Sequence, residues 1–260
     1  MKNLFLFLFL LVVFTSKAQD NRVSGLNSRQ FTKYWKVESE SPDYKVTFQG
    51  DTAEIVSPKG LTLWRKEKMS GKVTIEYDAC VVVESDGDRL SDLNCFWMAS
   101  DPQYPDNLWK REKWRSGIFL NCYSLQLYYL GYGGNHNSTT RFRRYDGDES
   151  GITNPKARPA ILKEYTDAGH LLKPNHWYHI KITNENNRVS YYIDGERLVD
   201  FRDAEPLREG WFGFRTTLSR TRITNFSYEC SSQEATAVPL QWIGETPRQD
   251  KAVSFGVPFD

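Results

Sequence analysis

The feature of this sequence that most constrains its fold is a period-two alternation of apolar and polar residues. In "KVTIEYDACVVV" the residues Val73, Ile75, Tyr77, Ala79 and Val81 share one face, and mainly polar residues share the other. Because successive side chains of a strand point to opposite faces, this pattern predicts a half-buried β-strand. Similar segments recur between turns rich in Gly, Asn, Asp and Pro, without a convincing amphipathic helix. The sequence therefore predicts an all-β sandwich or barrel.

The two ends of the chain differ from this pattern. Lys2, an apolar run over residues 4–14 and then "TSKAQ" are typical of a secretory signal peptide, and the run is too short for a permanent membrane anchor. We predict a signal peptide at 1–19, a jelly-roll domain at 20–232 and a C-terminal tail at 233–260. The tail either packs on the sandwich or begins something that the chain does not finish. A secreted protein, extracellular or periplasmic and without membrane insertion, is expected.

Charge and cysteine content narrow the classes of partner. Lys and Arg total 34 and Asp and Glu total 33, so no global field would recruit nucleic acid or an anionic membrane. Any polyanion must be bound locally. The cysteines are Cys80, Cys95, Cys122 and Cys230, without a CxxC pair, which argues against a zinc site. Disulfides are one possibility, because the expected compartment is oxidising. Buried free thiols are the other, because each cysteine lies in an apolar segment.

Two long loops interrupt the strand pattern. Residues 101–116, "DPQYPDNLWKREKWRS", carry Trp109 and Trp114, and residues 148–174 carry His170. Long loops in a compact β domain are commonly functional, and exposed indole rings suit stacking on sugars. We expect Trp97, by contrast, to belong to the core.

The stretch "GYGGNHNSTTRFRRYDG", residues 131–147, combines the groups that acid–base chemistry on an anionic sugar needs. Such chemistry requires a base, an acid and a group that neutralises a carboxylate. The catalytic candidates are His136 as base, Tyr132 and Tyr145 as acids, and Arg141. The substrate-binding candidates are Asn135, Asn137, Arg143, Arg144, Trp109, Trp114 and His170, the last also being the second-choice base. On a strand, Arg141, Arg143 and Tyr145 would face the groove, Phe142 would point inward and Arg144 would need a partner.

A purely structural interpretation of the same residues remains open. Arginines on strands form cross-strand ion pairs, here with Glu76, Asp78 or Asp146, and Gly-Asn runs form turns. The segment "NHWYHI" resembles a core strand, which favours a structural role for His176 and His179. The acidic runs "DGDRLSD" and "YDGDES" offer oxygen ligands, but neither fits the EF-hand calcium loop. No cofactor is expected, and a structural calcium is the alternative.

Five blocks carry a resemblance to a known family: "WRKEKMSGKVTIEYDACV", "GYGGNHNSTTRFRRYDG", "LLKPNHWYHIKI", "RVSYYIDGERLVDF" and "GWFGFRTTLSRTRITNFSY". Together, over roughly residues 33–228, they resemble the concanavalin-like jelly-roll domain of secreted carbohydrate-degrading proteins of Bacteroidota. The resemblance implies a concanavalin- or laminin-G-like sandwich of two antiparallel sheets. Within that group the chain looks most like a small ulvan-type polysaccharide lyase. The Gln-x-His and Tyr-x-Lys-x-Gly-x-Tyr strands of jelly-roll alginate lyases do not occur, so their catalytic residues cannot be carried over.

Three functions follow from these observations. The first is a monomeric lyase that cleaves an anionic, uronic-acid-containing sulfated polysaccharide by β-elimination. The alternative is a non-catalytic carbohydrate-binding module that uses the same groove. A glycoside hydrolase ranks last, because it needs paired carboxylates and no strand carries the E-x-D-x-x-E pattern of sandwich glucanases.

Overall fold

The computed structural model describes residues 23–231, which consist mainly of strands. The strands are β1 (Val23–Ser24), β2 (Trp35–Ser39), β3 (Lys45–Gln49), β4 (Thr52–Arg65), β5 (Met69–Ser70), β6 (Lys72–Val81), β7 (Asn94–Ser100), β8 (Gln126–Gly133), β9 (Thr139–Asp146), β10 (Lys163–Tyr165), β11 (Tyr178–Glu185), β12 (Arg188–Ile193), β13 (Glu196–Arg202) and β14 (Glu209–Ser231). One-turn α-helices are α1 (Phe31–Tyr34), α2 (Glu112–Arg115), α3 (Gly134–Asn137) and α4 (Ser150–Thr153), and 3-10 turns are Leu108–Arg111, Leu120–Ser124, Pro155–Ala157 and Ala168–His170. The predicted signal peptide and C-terminal tail lie outside the described residues, and export stays a prediction.

The strands form two antiparallel sheets that share the long strands β4 and β14. The first sheet runs β10-β9-β8-β7 into the first half of β14, which lies beside the second half of β4 and then β2. The second sheet runs β13-β12-β11-β6 into the second half of β14, which lies beside the first half of β4 and then β3. This arrangement confirms the predicted all-β jelly-roll sandwich.

The shared strands change sheets at a bulge. In β14 the register shifts between Thr217 and Ser219, and the intervening Leu218 has a φ of 51°. These residues pair with Gly60 and Ser57 of β4, so both strands bend at the same level. A bulge bends a strand and increases its twist, which lets one strand serve two packed sheets.

The main core fills the space between the two sheets. Trp97, Tyr128 and Phe142 of the first sheet pack against Tyr191 and Phe201 of the second, with ring centroids 6.1 Å apart for Trp97–Tyr191 and 5.5 Å apart for Phe142–Phe201. Trp97 is fully buried. The prediction that it belongs to the core is therefore confirmed.

A second apolar cluster lies on the outer face of the first sheet. There the segment of residues 101–125 covers the strands, and its side chains Leu108, Cys122 and Leu125 pack with Phe96 and Leu127. Arg115, fully buried, anchors this segment: it donates to Glu38 at 2.9 and 3.2 Å and to the Leu108 carbonyl at 2.7 Å. This face of the sheet is consequently closed to a ligand.

The cysteines in the described part of the chain form no disulfide. Cys80, Cys95 and Cys122 are buried and Cys230 is partly buried, which matches the free-thiol alternative. Burial raises the pKa of Cys95 to about 12 and that of Cys122 to about 11, so both remain protonated thiols. Within residues 23–231 no helix has the length and apolarity needed to cross a bilayer.

Candidate functional site

The first half of the stretch 131–147 forms a tight connection between β8 and β9. Gly133, Asn135, His136 and Asn137 all have left-handed backbone, with φ values of 66°, 51°, 59° and 58°. Glycine is required at position 133 because a Cβ there would lie 2.4 Å from a side-chain carbon of Leu172. The connection is therefore an irregular left-handed turn rather than a regular helix.

This turn holds the loop of residues 168–173 against the end of the sandwich. The Asn137 side chain donates to the Leu172 carbonyl at 2.9 Å and accepts from the Leu172 amide at 2.8 Å. The Thr140 hydroxyl donates to the His170 carbonyl at 2.7 Å. Asn137, predicted to bind substrate, thus has both side-chain groups engaged with backbone, and it acts as a positioning residue. His136 and Asn135 are exposed on the tip of the turn.

A pocket of about 130 Å³ opens beside this contact, at one end of the sandwich. Three elements meet there: the end of β8, the loop before β11, and the turn between β12 and β13. The polar and aromatic side chains that line it are Tyr132, His170, Lys173, His176, Tyr178, Asp194 and Glu196. We call it the end pocket.

His170 occupies the end pocket between two carboxylates. Its Nδ1 lies 2.8 Å from Asp167, its Nε2 lies 3.2 Å from Glu196, and its ring stacks on Tyr165 with centroids 4.1 Å apart. Partial burial alone would lower the pKa of His170, but the hydrogen bonds to Asp167 and Glu196 outweigh it and raise that pKa. The imidazole therefore stays protonated to a higher pH than an ordinary histidine, which suits a donor better than a base.

The second histidine of the end pocket faces the turn between β12 and β13. His176 Nε2 lies 3.6 Å from an Asp194 carboxylate oxygen, and the ring contacts Tyr178 edge-on with centroids 4.5 Å apart. The other oxygen of Asp194 accepts from the His179 amide at 2.8 Å and fixes the turn. Asp194 is 46% exposed and Glu196 is 68% exposed at the side chain, so both carboxylates keep acceptor sites open to solvent.

The tyrosines of the end pocket are neutral donors and acceptors. Burial raises the pKa of Tyr132 and of Tyr178. The Tyr132 hydroxyl donates to the Leu171 carbonyl at 3.3 Å, and the Tyr178 hydroxyl accepts from the Lys173 amide at 2.7 Å. Tyr132 lines the pocket, as a candidate acid would, yet its ring is 2% exposed.

The arginines of the stretch 131–147 do not line the end pocket. Arg141 pairs with Glu164, and Arg143 donates to the Pro159 carbonyl. Arg144 donates to Asp203 at 2.7 Å and also pairs with Asp146, which satisfies the predicted need for a partner. The ion pairs of Arg141 and Arg144 agree with the structural interpretation of these arginines. Their partners are Glu164, Asp203 and Asp146, and of these only Asp146 was among the predicted acids.

The predicted groove position of Tyr145 is wrong. Tyr145 does share the face opposite to Phe142, but the segment of residues 101–125 covers that face, and the side chain is 0% exposed between Tyr123 and Tyr129. Its hydroxyl has no hydrogen-bond partner among the described residues. A phenol sealed in this way cannot reach a substrate.

The two loop tryptophans also lie away from the end pocket. Trp109 is partly buried and contacts Trp211, with ring centroids 6.1 Å apart. Trp114 is 43% exposed, with the Arg111 guanidinium 5.0 Å from its ring centroid. Of the pair, Trp114 alone presents a free ring surface for stacking.

Several residues of the end pocket were not predicted from the sequence, namely Lys173, Tyr178, Asp194 and Glu196. The sequence also favoured a structural role for His176, which the fold places at the rim. The Asp194-Gly195 pair, which is typical of a tight hairpin turn, was the signal that could have found these acids, because the turn between β12 and β13 carries Asp194 and Glu196 to the same rim as "NHWYHI". His179 does not line the pocket; it points outward and pairs with Asp78 at 2.7 Å.

The acidic runs considered for calcium are engaged in other ways. Asp88 accepts from the amides of Glu84 and Ser85, Asp92 pairs with Arg89, and Asp148 accepts from the Ser150 amide. Within residues 23–231 no group of three or more His, Cys, Asp or Glu side chains is arranged to hold a metal ion.

Comparison with known proteins gives a family and a fold. Residues 55–226 match a family described as "Domain of unknown function (DUF6250)". No curated protein matches the sequence. Among solved structures, a Bacillus subtilis protein of unknown function with a galectin-like fold superposes with a TM-score of 0.64 at 16% identity, covering 82% of this chain and 96% of its own.

Two further solved structures share the fold at lower similarity. The carbohydrate-binding module CBM66 from Bacillus subtilis has a TM-score of 0.50 at 16% identity and covers 75% of this chain and 94% of its own. The exoplasmic/lumenal domain of VIP36, in a form bound to Ca²⁺ and Man3GlcNAc, has a TM-score of 0.51 at 8% identity and covers 84% of this chain and 91% of its own. At these identities the likeness establishes the jelly-roll fold.

Proposed function

The chain belongs to the DUF6250 family. We propose that its sandwich is a carbohydrate-binding domain that takes a neutral sugar in the end pocket. Support comes from two sides. The fold is that of a carbohydrate-binding module and of the VIP36 domain with its bound saccharide. The end pocket supplies, on this chain, the hydrogen-bonding groups that a sugar requires.

The single observation that carries the proposal is the pair of exposed carboxylates beside the histidines. Asp194 and Glu196 keep open acceptor sites at the pocket rim, and sugar hydroxyls are good donors to ionised carboxylates. The His176 and Tyr178 rings provide an aromatic edge beside them. A pocket of about 130 Å³ suits one sugar ring or its edge better than a long chain segment.

The charge of the end pocket favours a neutral ligand over a uronate. Asp194 and Glu196 line the pocket and Asp167 lies against His170, whereas the groups of positive charge are Lys173 and the imidazole of His170, whose pKa is raised, so carboxylates are in excess. A ligand carboxylate here would meet like charges, which costs free energy in a partly desolvated site.

The test is binding of wild-type protein to neutral and uronic-acid oligosaccharides, measured by calorimetry with mannan-, galactan- and xylan-derived probes and with oligogalacturonate. We expect a neutral probe to bind, and Glu196→Gln to weaken it about tenfold, because a charge-assisted hydrogen bond becomes a neutral one. Glu209→Gln is the matched control, since Glu209 is an exposed glutamate with one lysine partner outside the pocket. Equal affinity of Glu196→Gln and wild type for every neutral probe would refute the site.

A second candidate is the polysaccharide lyase, and the two histidines at one rim favour it. In that reaction an unprotonated His170 or His176 would remove the proton beside a uronic-acid carboxylate, and an acid such as Tyr178 would protonate the leaving oxygen. Its test is the ultraviolet absorbance of the conjugated double bond that β-elimination creates, recorded with ulvan and polygalacturonate. A rise that His176→Ala and His170→Ala abolish, and that His136→Ala retains, would support it. No rise on either polymer would leave binding as the function.

A further inference from the structure

A second concavity lies on the outer face of the second sheet, away from the end pocket. It has a volume of about 550 Å³ and crosses strands β6, β11, β12 and β13. Its floor is a row of short hydroxyl side chains that are direct cross-strand neighbours: Thr74 opposes Thr183, and Thr183 opposes Ser190. We call this concavity the face groove.

The face groove arises from an alternation of side-chain length along the strands. On one side of the hydroxyl row, Glu185 opposes Arg188 and Arg188 opposes Arg202. On the other side Tyr192 opposes Arg197. Long side chains in both flanking rows and short ones between them leave a trench that runs across the strands. The row of short side chains spans β6, β11 and β12 and ends at Asp200 of β13, which opposes Ser190. Because neighbouring strands lie about 4.8 Å apart, this row is about 10 Å long.

The basic wall of the face groove contains an arrangement that strand pairing alone does not favour. Arg188 and Arg202 are like charges directly opposite each other, which destabilises a strand pair. Asp200 accepts two hydrogen bonds from Arg188, each 2.6 Å long, and lies 3.2 Å from Arg197. Two further carboxylates, Glu185 and Glu229, line the groove, and Glu185 pairs with Lys72. Arg202 adds a further positive charge near the same Asp200. The cationic side chains Lys72, Arg188, Arg197 and Arg202 therefore exceed the carboxylates Glu185, Glu229 and Asp200 by one.

We propose that the face groove binds a linear polysaccharide bearing carboxylate or sulfate groups, with Arg188 and Arg202 holding an acidic group. Guanidinium groups pair with both kinds of anion in bidentate fashion. The partly exposed hydroxyls of Thr74 and Thr183 donate to and accept from the sugar hydroxyls above them, while Ser190 is buried. Tyr192 offers the edge of an aromatic ring beside the chain. The length of the trench suits a short segment of the sugar chain. This site is independent of the neutral-sugar site proposed for the end pocket.

The experiment measures binding by calorimetry at physiological ionic strength with three polymers. Polygalacturonate carries carboxylates, dextran sulfate carries sulfates, and dextran carries neither. We expect at least one of the two anionic polymers to bind, dextran not to compete, and Arg202→Gln to weaken the anionic polymer about tenfold. The melting temperature of Arg202→Gln should stay close to that of wild type, because the substitution removes both the repulsion from Arg188 and the attraction to Asp200.

Two controls separate this site from general electrostatics and from the end pocket. Arg29→Gln removes an exposed arginine outside the face groove and should leave binding unchanged. Glu196→Gln should weaken neutral probes but not the anionic polymer. The proposal is overturned if neither anionic polymer binds, or if Arg29→Gln and Arg202→Gln weaken binding equally. If wild-type protein binds an anionic polymer but no neutral probe, the proposal for the end pocket is overturned and the proposal for the face groove stands.

Discussion

Replacement of Arg115 by methionine should destabilise the domain in a pH-dependent way. Arg115 and Glu38 are 0% and 4% exposed at their side chains, and the pair ties the covering segment of residues 101–125 to β2. Removing one member of a buried ion pair leaves the other charge uncompensated, which costs about 3 kcal/mol or more. For a domain of this size each kcal/mol shifts the melting temperature by about 2–4 °C, so the expected loss is about 6–12 °C.

The sign of the pH dependence follows from Glu38. Burial raises the pKa of Glu38 above its ordinary 4.5, although Arg115 lowers it in part. Without Arg115 the folded-state pKa rises further, so below it the carboxyl is protonated and the penalty is small. Between the unfolded and folded pKa values the penalty grows with pH, by about 1.4 kcal/mol per pH unit. Arg115→Met should thus lose more stability at pH 8 than at pH 5.

Calorimetric unfolding of wild type, Arg115→Met and the double variant Glu38→Leu/Arg115→Met measures these effects. The double variant should recover most of the loss, because well-packed apolar groups replace a buried ion pair at little cost. Glu209→Gln, which removes the exposed partner of Lys68, should change stability by less than about 1 kcal/mol. A loss below about 1 kcal/mol for Arg115→Met, or an equal loss at pH 5 and pH 8, would refute the reasoning.

Three further predictions concern single side chains. Asp167→Asn should lower the pKa of His170 toward 6.5 in an NMR titration. In wild type the stabilisation from protonated His170 is complete below its unfolded-state pKa and is lost as pH rises through the raised folded-state pKa. Tyr145→Phe should leave stability and saccharide binding unchanged, because its hydroxyl has no hydrogen-bond partner among the described residues. Tyr128→Phe should lower the free energy of unfolding by about 1–2 kcal/mol in denaturant, because that hydroxyl donates to Asp203 at 2.6 Å. Native protein should resist a thiol reagent at Cys95 and Cys122, and all of the cysteines should react in denaturant; a disulfide detected by mass spectrometry would contradict this.

The fold was readable from the sequence because alternation is a local signal. Val73, Ile75 and Tyr77 face the core as their spacing predicts. The faces of β9 were also predicted with Phe142 inward. The sequence could not reveal that a second layer covers the opposite face, because the cover over Tyr145 comes from residues 101–125 and depends on tertiary contacts.

The candidate site was predicted less well for a related reason. The stretch 131–147 holds many reactive residue types, but strand geometry distributes them: Tyr132 lines the end pocket while Arg141 and Arg144 enter ion pairs elsewhere. Asp194 and Glu196 reach His170 and His176 only through the β12–β13 turn, across more than fifteen positions of sequence in each pair. The make-up of the candidate site therefore depends on which strand ends and turns meet at the rim. The composition of one segment does not determine this.

The shared strands β4 and β14 have a consequence for the order of folding. Trp64 pairs with Gly213 in one sheet and Ile55 pairs with Thr221 in the other, so the strands common to both sheets come from distant parts of the chain. Synthesis proceeds from the N-terminus, so β4, β6 and β7 are made long before the strand that joins them. Until β14 emerges their edges stay unpaired, and contacts of such high sequence separation form slowly. The nascent chain must therefore be kept from aggregating until almost the whole domain has been synthesised, because neither sheet is complete without β14.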